Sequence, residues 1–424
     1  MEVVPRKRRP YSTLEKLEMK KTLVALAALA SVSAFAQSTV QIDGLLDAGY
    51  QQIKYKNATG STSGIGGNGS GTTQINFRGS SDLGGGLKAS FRLETDFSAV
   101  SNKANTGFIN GNTTAGTAPT AAAPVTTASP NSGGGTFGNG EVRVGLESND
   151  WGQMHLGVVN NESLGTMNAG QPFGTAIGGG FRGILRTDAG TMGSSAVRAD
   201  QTIKYVTPTV NGLTGTYLQV FKSSRAAAAQ AATTFTTSQA YDYTTTFNGY
   251  DFAGVKEITV AYANGPLNAR ITTQKTDSTG IDTLAASSLT TRDLNTIGAN
   301  YTIGNTVAYF LSQTYKTSSA TANGNKVSQL SVKHTMGNHV AMVTMGNLTN
   351  EAAFSATANY GKSSLTGLGY DYNLSKTTAL YARYDSITDK AGVLTLAHTV
   401  DGTASGQVNG DKRTRAALGL RTAF

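Results

Sequence analysis

The sequence predicts an all-β protein, a sixteen-stranded antiparallel β-barrel that crosses a membrane. Three observations predict it: an export signal near the start, alternation of apolar and polar residues over the rest of the chain, and connections that alternate between short and long. The composition agrees with this fold class. Gly makes up 51 of the 424 residues and only 14% of the residues are charged, so the chain is poor in helix-forming sequence and rich in turns.

Residues 19–36 predict a secretory signal peptide. Two lysines precede an apolar stretch, and Ala34-Phe35-Ala36 fits the small-residue rule for cleavage after Ala36. The stretch falls short of the ~20 residues that a spanning helix needs. We expect translation to begin at Met19, which makes residues 1–18 a start-site artefact and leaves residues 37–424 as the mature barrel. No later segment is apolar enough for a spanning helix, so the exported chain is periplasmic, secreted or a membrane barrel.

Apolar and polar residues alternate with period two in about sixteen runs of the mature chain, as expected for strands with one apolar face. In residues 87–98, for example, Leu87, Ala89 and Phe91 share one face, and charged or hydroxyl side chains take the other. The predicted strands are 38–55, 72–80, 87–98, 140–148, 152–159, 199–207, 213–222, 252–263, 267–277, 292–303, 306–316, 326–335, 339–349, 362–372, 377–387 and 413–424.

The connections between these runs alternate in length, which favours an up-and-down membrane barrel over a soluble sandwich. Short turns such as 304–305 and 336–338 alternate with long loops such as 99–139 and 160–198. The polar face is rich in Arg, Lys, Asp, Glu, Asn, Gln and Thr, so it is expected to line water rather than pack as a dry core. A closed sheet with an apolar outer face and a wet inner face predicts a channel.

Several segments together resemble the general porins of β-proteobacterial outer membranes. They are VQIDGLLDAGY at 40–50, INFRGSSDLGGGLKASFRLE at 75–94, VRVGLESNDWGQMHLG at 142–157, RADQTIKYVTPTVNGLTG at 198–215, TALYARYDS at 378–386, and AALGLRTAF ending in Phe424. The resemblance covers essentially the whole mature chain. It implies a homotrimeric outer-membrane channel for passive diffusion of small hydrophilic solutes and ions. It also implies that Phe424 is a recognition signal for the barrel assembly machinery.

The resemblance further implies a constricting third loop, folded into the barrel. Loop three, residues 160–198, contains Gln171-Pro172-Phe173-Gly174, which is similar to the tip motif of such loops. Its glycine run at 178–180 permits tight backbone turns. The alternative is a flexible external loop.

Basic residues that alternate with apolar residues along a predicted strand are candidates for the pore wall. An arginine that faced lipid at mid-depth would instead cost about 2–4 kcal/mol. An arginine-rich wall favours anions over cations, which predicts a mild anion preference. Any single arginine has an alternative role as a solvated wall residue paired with Asp43, Asp47, Glu94 or Glu141. The basic candidates are Arg78, Arg92, Arg143, Arg198, Lys204, Arg383, Arg415 and Arg421.

Charges in and beside loop three complete the predicted constriction: Glu162, Arg182, Asp188 and Asp200. The resemblance favours Arg198 among the basic candidates, since similar porins carry a pore arginine there. Gln74 and Gly140 stand where anion-selective relatives tend to have arginine, which predicts weaker selectivity than theirs.

Other functional classes receive little support. The chain has no Cys and only four His, so we expect no metal site, no cofactor and no enzyme active site. Residues 64–69 match G-x-G-x-x-G, but no helix pattern follows, which argues against a dinucleotide site. The mature chain has only a small excess of positive charge, so nucleic acid is not an expected partner. The remaining alternatives are a barrel adhesin or structural protein and a barrel enzyme.

Overall fold

The computed structural model is a closed antiparallel β-barrel in which the last strand pairs with the first. It describes residues 39–56, 61–100, 138–180, 183–185, 198–220, 254–278, 290–317, 324–350, 362–389 and 412–424. The predicted signal peptide at 19–36 and the residues before it lie outside the described residues. So do most of the loop at 99–139 and the low-complexity stretch at 223–249.

The barrel has sixteen strand positions, and the sixteen predicted runs coincide with them. Sixteen positions are formed by seventeen strands because β2 and β3 both pair with β1 and together make one position. The strands are β1 Thr39–Tyr55, β2 Ser61–Gly66, β3 Gln74–Gly84, β4 Leu87–Asp96, β5 Val142–Ser148, β6 Gly152–Asn160, β7 Arg198–Val206, β8 Leu213–Val220, β9 Gly254–Asn264, β10 Leu267–Ser278, β11 Thr290–Ile303, β12 Thr306–Thr317, β13 Asn325–Met336, β14 His339–Asn350, β15 Lys362–Asn373, β16 Thr378–Asp389 and β17 Lys412–Ala423. One helix, α1 Glu162–Ala169, is described, and it lies in loop three.

The second strand position departs from the prediction, which treated residues 56–71 as loop. Residues 61–66 instead pair with β1, and residues 67–73 form an irregular segment before β3 begins at Gln74. Glycines and serines dominate this stretch, so it carries no alternation of apolar residues that would mark a strand. The irregular segment 67–73 contacts loop three, through Gly69 and Thr72.

The two faces of the sheet have opposite character, as period-two alternation requires. Large apolar side chains are exposed on the outer face, among them Val260, Ile271 and Leu330. Polar side chains on the same strands are buried on the inner face, among them Glu257 and Gln329. Lipid accounts for the exposed apolar face, because a barrel in a membrane needs an outward apolar band.

Two of the connections between neighbouring antiparallel strands are two-residue turns that begin with glycine. Ile303 pairs with Thr306 and Met336 pairs with His339, so each turn has two residues. Gly304 and Gly337 occupy the first turn position with φ of 56° and 58°, a region that side chains with a Cβ rarely adopt. The short turns therefore depend on glycine at these places.

The inner face is not uniformly polar, which corrects the expectation of a fully wet inner face. Inward-facing Leu311, Leu348 and Leu365 are buried together with Met167 and Ile184 of loop three in one apolar cluster. These wall residues share the parity of polar neighbours, so alternation alone could not distinguish a dry patch from a wet one. Part of the inner wall is thus the docking surface for loop three.

Among the described residues, no helix is long and apolar enough to cross a membrane.

Candidate functional site

Loop three lies along the inner face of the barrel rather than outside it, over its described part. The helix α1 packs against β9, β10, β11 and β12. Buried Met167, Ile184 and Leu185 supply the loop's share of the apolar cluster. Burial of such side chains stabilises the docked loop by about 1.5–3 kcal/mol each. These contacts argue against the alternative of a free external loop.

The start of α1 is held by a carboxylate from the wall. Glu257 on β9 accepts hydrogen bonds from the backbone N–H of Glu162 at 2.6 Å and from the Ser163 hydroxyl at 2.6 Å. Its carboxylate also accepts from the Gln274 side-chain amide at 2.7 Å. Helix N-termini have unpaired N–H groups and a partial positive charge, so a buried carboxylate is a suitable partner there. Asn161 makes no side-chain cap, which leaves this role to Glu257.

The tip of loop three is held by three hydrogen bonds, two to wall strands and one to segment 67–73. The N–H of Gly178 donates to Asp385 at 3.2 Å, and the side-chain amide of Gln329 donates to the carbonyl of Gly179 at 3.0 Å. The N–H of Ile177 donates to the carbonyl of Gly69 at 3.2 Å. The tip is therefore fastened to β13, to β16 and to segment 67–73.

The predicted tip motif folds on itself. The carbonyl oxygen of the Gln171 side chain accepts from the N–H of Phe173 at 2.6 Å, and its amide donates to the carbonyl of Gly174 at 3.2 Å. Phe173 is buried against Ala176 and Met342. Gln171 thus shapes a local turn, while Phe173 attaches that turn to the wall.

Segment 67–73 is also fastened to the inner wall. The fully buried Asp47 accepts from the N–H groups of Ser70 and Gly71 at 2.7 and 2.8 Å. It also accepts from the Tyr381 hydroxyl at 2.7 Å. Segment 67–73 lies beside the tip of loop three. It is therefore a second irregular segment, after loop three, that lies on the inner face of the barrel.

The first group of predicted pore charges lies on β3 to β7, and three of its members, Arg92, Arg143 and Arg198, form a connected network of ion pairs. Arg92 contacts Glu94 at 2.5 Å and Glu141 at 2.7 Å. Arg198 contacts Glu94 at 2.5 Å and Asp96 at 3.0 Å. The other predicted members are Arg78, whose Nε donates to Asp43 at 2.8 Å, Arg143 at 3.4 Å from Glu141, and Lys204, which pairs with Glu162.

The second group lies on β15 to β17. Arg415 donates through Nε and Nη2 to both oxygens of Asp385, with the shortest contact 2.5 Å. Arg383 lies 2.7 Å and Arg421 lies 3.5 Å from Asp371. Each predicted basic residue therefore has a carboxylate neighbour, so the interpretation as paired wall residues describes their contacts.

Two residues important for this arrangement were missed by the sequence interpretation. Arg270 on β10 pairs with Glu162, which places Glu162 between Arg270 and Lys204. Arg270 stands opposite the outward Ile271 in parity, so the rule that selected the other arginines would also have selected it. Glu257 obeys the same parity, but no pattern in the sequence indicates that it binds a helix start.

Three predicted loop charges cannot be placed. Arg182 and Asp188 lie outside the described residues, and only the backbone of Asp200 is described. Their roles in a constriction stay predictions.

The exposure of the paired charges is unequal. The side chain of Arg198 is 18% exposed and that of Asp96 only 3%. The same order holds for Arg92 at 24% against Glu94 at 3%, and for Arg270 at 26% against Glu162 at 9%. In these three pairs the carboxylate is the more deeply buried partner, and the guanidinium group is nearer to the water of the bore. In the pair of Arg383 with Asp371, both side chains are buried.

An open recess of about 440 Å³ lies between α1 and strands β10 to β12. Its lining includes Arg270, Asn268, Asn300, Asn168 and Tyr309. Amide, hydroxyl and guanidinium groups can exchange hydrogen bonds with a passing polar solute. The described residues contain no group of three His, Asp or Glu side chains arranged to hold a metal ion.

Comparison with known proteins gives consistent matches over nearly the whole chain. The Gram-negative porin family profile matches residues 22–392. Outer membrane porin protein 32 of Delftia acidovorans is 30% identical over 96% of this chain and 100% of its own length. The solved anion-selective porin from Comamonas acidovorans superimposes with a TM-score of 0.65 at 23% identity, covering 92% of this chain and 100% of that one. A trimer form of OmpT from Vibrio cholerae superimposes with a TM-score of 0.56 at 12% identity, covering 91% of this chain and 99% of that one.

Proposed function

The chain belongs to the Gram-negative porin family, and from this premise we propose that it conducts anions modestly better than cations. It is an outer-membrane channel protein for small hydrophilic solutes and ions rather than an enzyme. The alternatives of an adhesin and a barrel enzyme fit less well, because the relatives are porins.

The order of exposure in the ion pairs is the observation that carries the anion preference. In the pairs Arg92–Glu94, Arg198–Asp96 and Arg270–Glu162 the guanidinium group is more exposed than its carboxylate, so a passing ion meets the positive group first. Arginine keeps its charge at any working pH and can donate several hydrogen bonds to an anion. The nearby carboxylates offset much of the field, so the preference is modest.

Loop three narrows the bore in this proposal. Support comes from its three fastening points, at Glu257, Gln329 and Asp385, which hold the segment against the inner face. A sixteen-stranded barrel leaves an aqueous lumen, so a segment fixed inside it reduces the open cross-section. Solutes then pass between the loop and the charged side of the wall.

Export and assembly complete the proposal. Cleavage after Ala36 would release the mature chain, which inserts into the outer membrane with the help of the barrel assembly machinery. Phe424 is exposed, and its backbone exchanges two hydrogen bonds of 3.1 Å with Gly44. An exposed terminal aromatic residue is available for recognition before the barrel closes. We expect the folded chains to form homotrimers in the membrane lipid.

The selectivity is tested by the reversal potential of purified protein in a planar bilayer under a KCl gradient. Wild-type protein is expected to show a mild anion preference, and a cation preference would overturn the proposal. The variant R198Q exposes Glu94 and Asp96 and is expected to shift the reversal potential toward cations. The matched variant D96N removes a negative charge from the same network and is expected to shift it the other way.

The variant E162Q is expected to strengthen the anion preference. Glu162 pairs with both Lys204 and Arg270, so replacing it with Gln removes one negative charge and raises the net charge of the bore beside loop three by one. R270Q is the matched change of opposite sign. Equal permeability ratios for E162Q and R270Q would contradict the placement of this trio at the conducting path.

A further inference from the structure

Segment 67–73 and loop three meet directly on the inner face of the barrel. The N–H of Ile177 donates to the carbonyl of Gly69 at 3.2 Å, and the hydroxyl oxygens of Thr72 and Thr175 are 3.0 Å apart. Loop three contacts each strand from β9 to β17. Segment 67–73 contacts the next strand, β1. The two segments therefore form one lining along the inner wall from β9 to β1.

The side chain of Tyr381 lies beneath the junction of the two segments. It begins on β16 and passes over β17 to β1, where its hydroxyl donates to Asp47 at 2.7 Å. Gly419 on β17 and Gly49 on β1 leave room for this path, because a Cβ on either would overlap the Tyr381 hydroxyl. The buried ring packs with Ile177 of loop three. Tyr381 thus supports both segments at the same point.

Segment 67–73 is held in one shape by its own contacts and by the wall. The side-chain carbonyl of Asn68 accepts from the N–H of Thr73 at 2.9 Å. Asn68 has a φ of 59°, in the left-handed region that Asn adopts more readily than most residues. The Ser70 hydroxyl accepts from Nη2 of Arg383 at 3.0 Å. These contacts hold the segment inside the barrel.

The charges of the inner wall divide into a covered set and an open set. Arg383 and Arg415 lie beneath the lining and are buried. On strands that the lining does not contact, Arg78 is exposed, and Arg92 and Arg143 are partly exposed. Strand register places these last three side by side on β3, β4 and β5. The charge that meets the water of the bore is thus concentrated where the lining is absent.

We propose that segment 67–73 is a second constricting element of the channel, with Asp47 and Tyr381 as its positioning residues. Ions then pass along the charged wall of β3 to β7 and the adjoining start of loop three. The segment contains only Gly, Asn, Ser and Thr, so it narrows the bore without adding charge. This inference rests on the proposed narrowing of the bore by loop three and adds to it a second segment and a route for ions.

G69A and D47A are expected to raise the single-channel conductance in planar bilayers about 1.5-fold, because the bore widens where the segment leaves the wall. A Cβ on Gly69 would overlap the Tyr381 ring. D47A removes the acceptor of three backbone N–H groups and of the Tyr381 hydroxyl. G215A, on β8, is the glycine-to-alanine control and is expected to conduct as wild type. Wild-type conductance in G69A or in D47A, with folding checked by circular dichroism, would overturn the proposal.

A cross-link is expected to return the displaced segment to its place. The chain has no Cys, so G69A/T72C/T175C can form one intramolecular disulfide, between positions whose hydroxyl oxygens are 3.0 Å apart. Oxidation is expected to restore wild-type conductance, and dithiothreitol to raise the conductance again. A role confined to folding would leave conductance independent of this bond. Equal conductance of the oxidised and the reduced protein would therefore contradict the proposal.

Thiol labelling tests which part of the wall the lining covers. Ala417 on β17 is buried against Ile177 and Tyr381. A417C is expected to resist a water-soluble methanethiosulfonate reagent and to react with it in the D47A background. R78C, on the open wall, is expected to react in both backgrounds. Labelling of A417C as fast as R78C without D47A would show that the lining does not cover this wall, against the proposal.

The variant G367A separates this inference from the proposed narrowing by loop three, because its added Cβ would overlap the Gly178 carbonyl at the loop tip. Raised conductance in G367A, with wild-type conductance in G69A and D47A, leaves narrowing by loop three intact and overturns the second constriction. Wild-type conductance in G367A, with raised conductance in G69A and D47A, contradicts narrowing by loop three and supports the role of segment 67–73.

Discussion

Replacing Asp385 with Ala is expected to lower the free energy of unfolding by about 3–5 kcal/mol, because the change breaks a buried ion-pair cluster. Asp385 is fully buried, binds Arg415 through two oxygens, and lies 3.8 Å from Arg413. Ala would leave both buried guanidinium groups without this carboxylate. Unfolding followed by circular dichroism in detergent, with urea as denaturant, measures the loss.

A matched change at the surface separates burial from charge. Asp43 pairs with Arg78, whose side chain is 47% exposed, so D43A is expected to cost only about 0–1 kcal/mol. D385A also removes the acceptor of the Gly178 N–H, so the loop tip loses one of its fastening points. Equal losses of stability in D385A and D43A would contradict the expectation that the buried cluster around Asp385 contributes more to stability than the exposed pair of Asp43 and Arg78.

The variant G367A is expected to displace the tip of loop three and raise the single-channel conductance. A Cβ on Gly367 would overlap the backbone carbonyl of Gly178, which is not a flexible side chain that can move away. Forcing extra atoms into a packed site typically costs about 1–3 kcal/mol. The loop can avoid this cost by leaving the wall, which breaks the bonds to Asp385 and Gln329.

G215A is the control for G367A. The added Cβ at Gly215 on β8 would meet only the Thr207 side chain, with the nearest contact at 3.3 Å. G215A is therefore expected to conduct like wild type in planar bilayers. If G367A conducts like G215A, loop three either does not dock through its tip or does not narrow the bore.

The barrel was predictable because lipid outside and water inside require apolar and polar residues to alternate with a period of two in most of its strands. Runs such as 413–424 and 87–98 carry that period over most of their length, and the structure places β17 and β4 there. The same parity selected Arg198, Arg92 and Arg415 as inward residues. It works wherever one face must be apolar and the other polar.

The parts that could not be predicted depend on contacts between distant segments. Segment 67–73 has no period, and its position follows from Asp47 accepting N–H groups from it. Leu311 and Leu365 face inward although they are apolar, because Met167 and Ile184 of loop three cover them. The partners of each arginine, such as Arg270 with Glu162, are a matter of register between strands and loop.

The fastening of loop three has a consequence for the order of events in biogenesis. Gly178 and its acceptor Asp385 are 207 residues apart in the chain, and Glu257 follows Glu162, the first residue of α1, by 95 residues. A nascent barrel that lacks β16 lacks the acceptor for the Gly178 N–H, and Met167 and Ile184 lack part of their apolar wall. Complete docking of the loop therefore needs strands that follow it by many residues, which makes it a late step of high contact order that incomplete intermediates cannot finish.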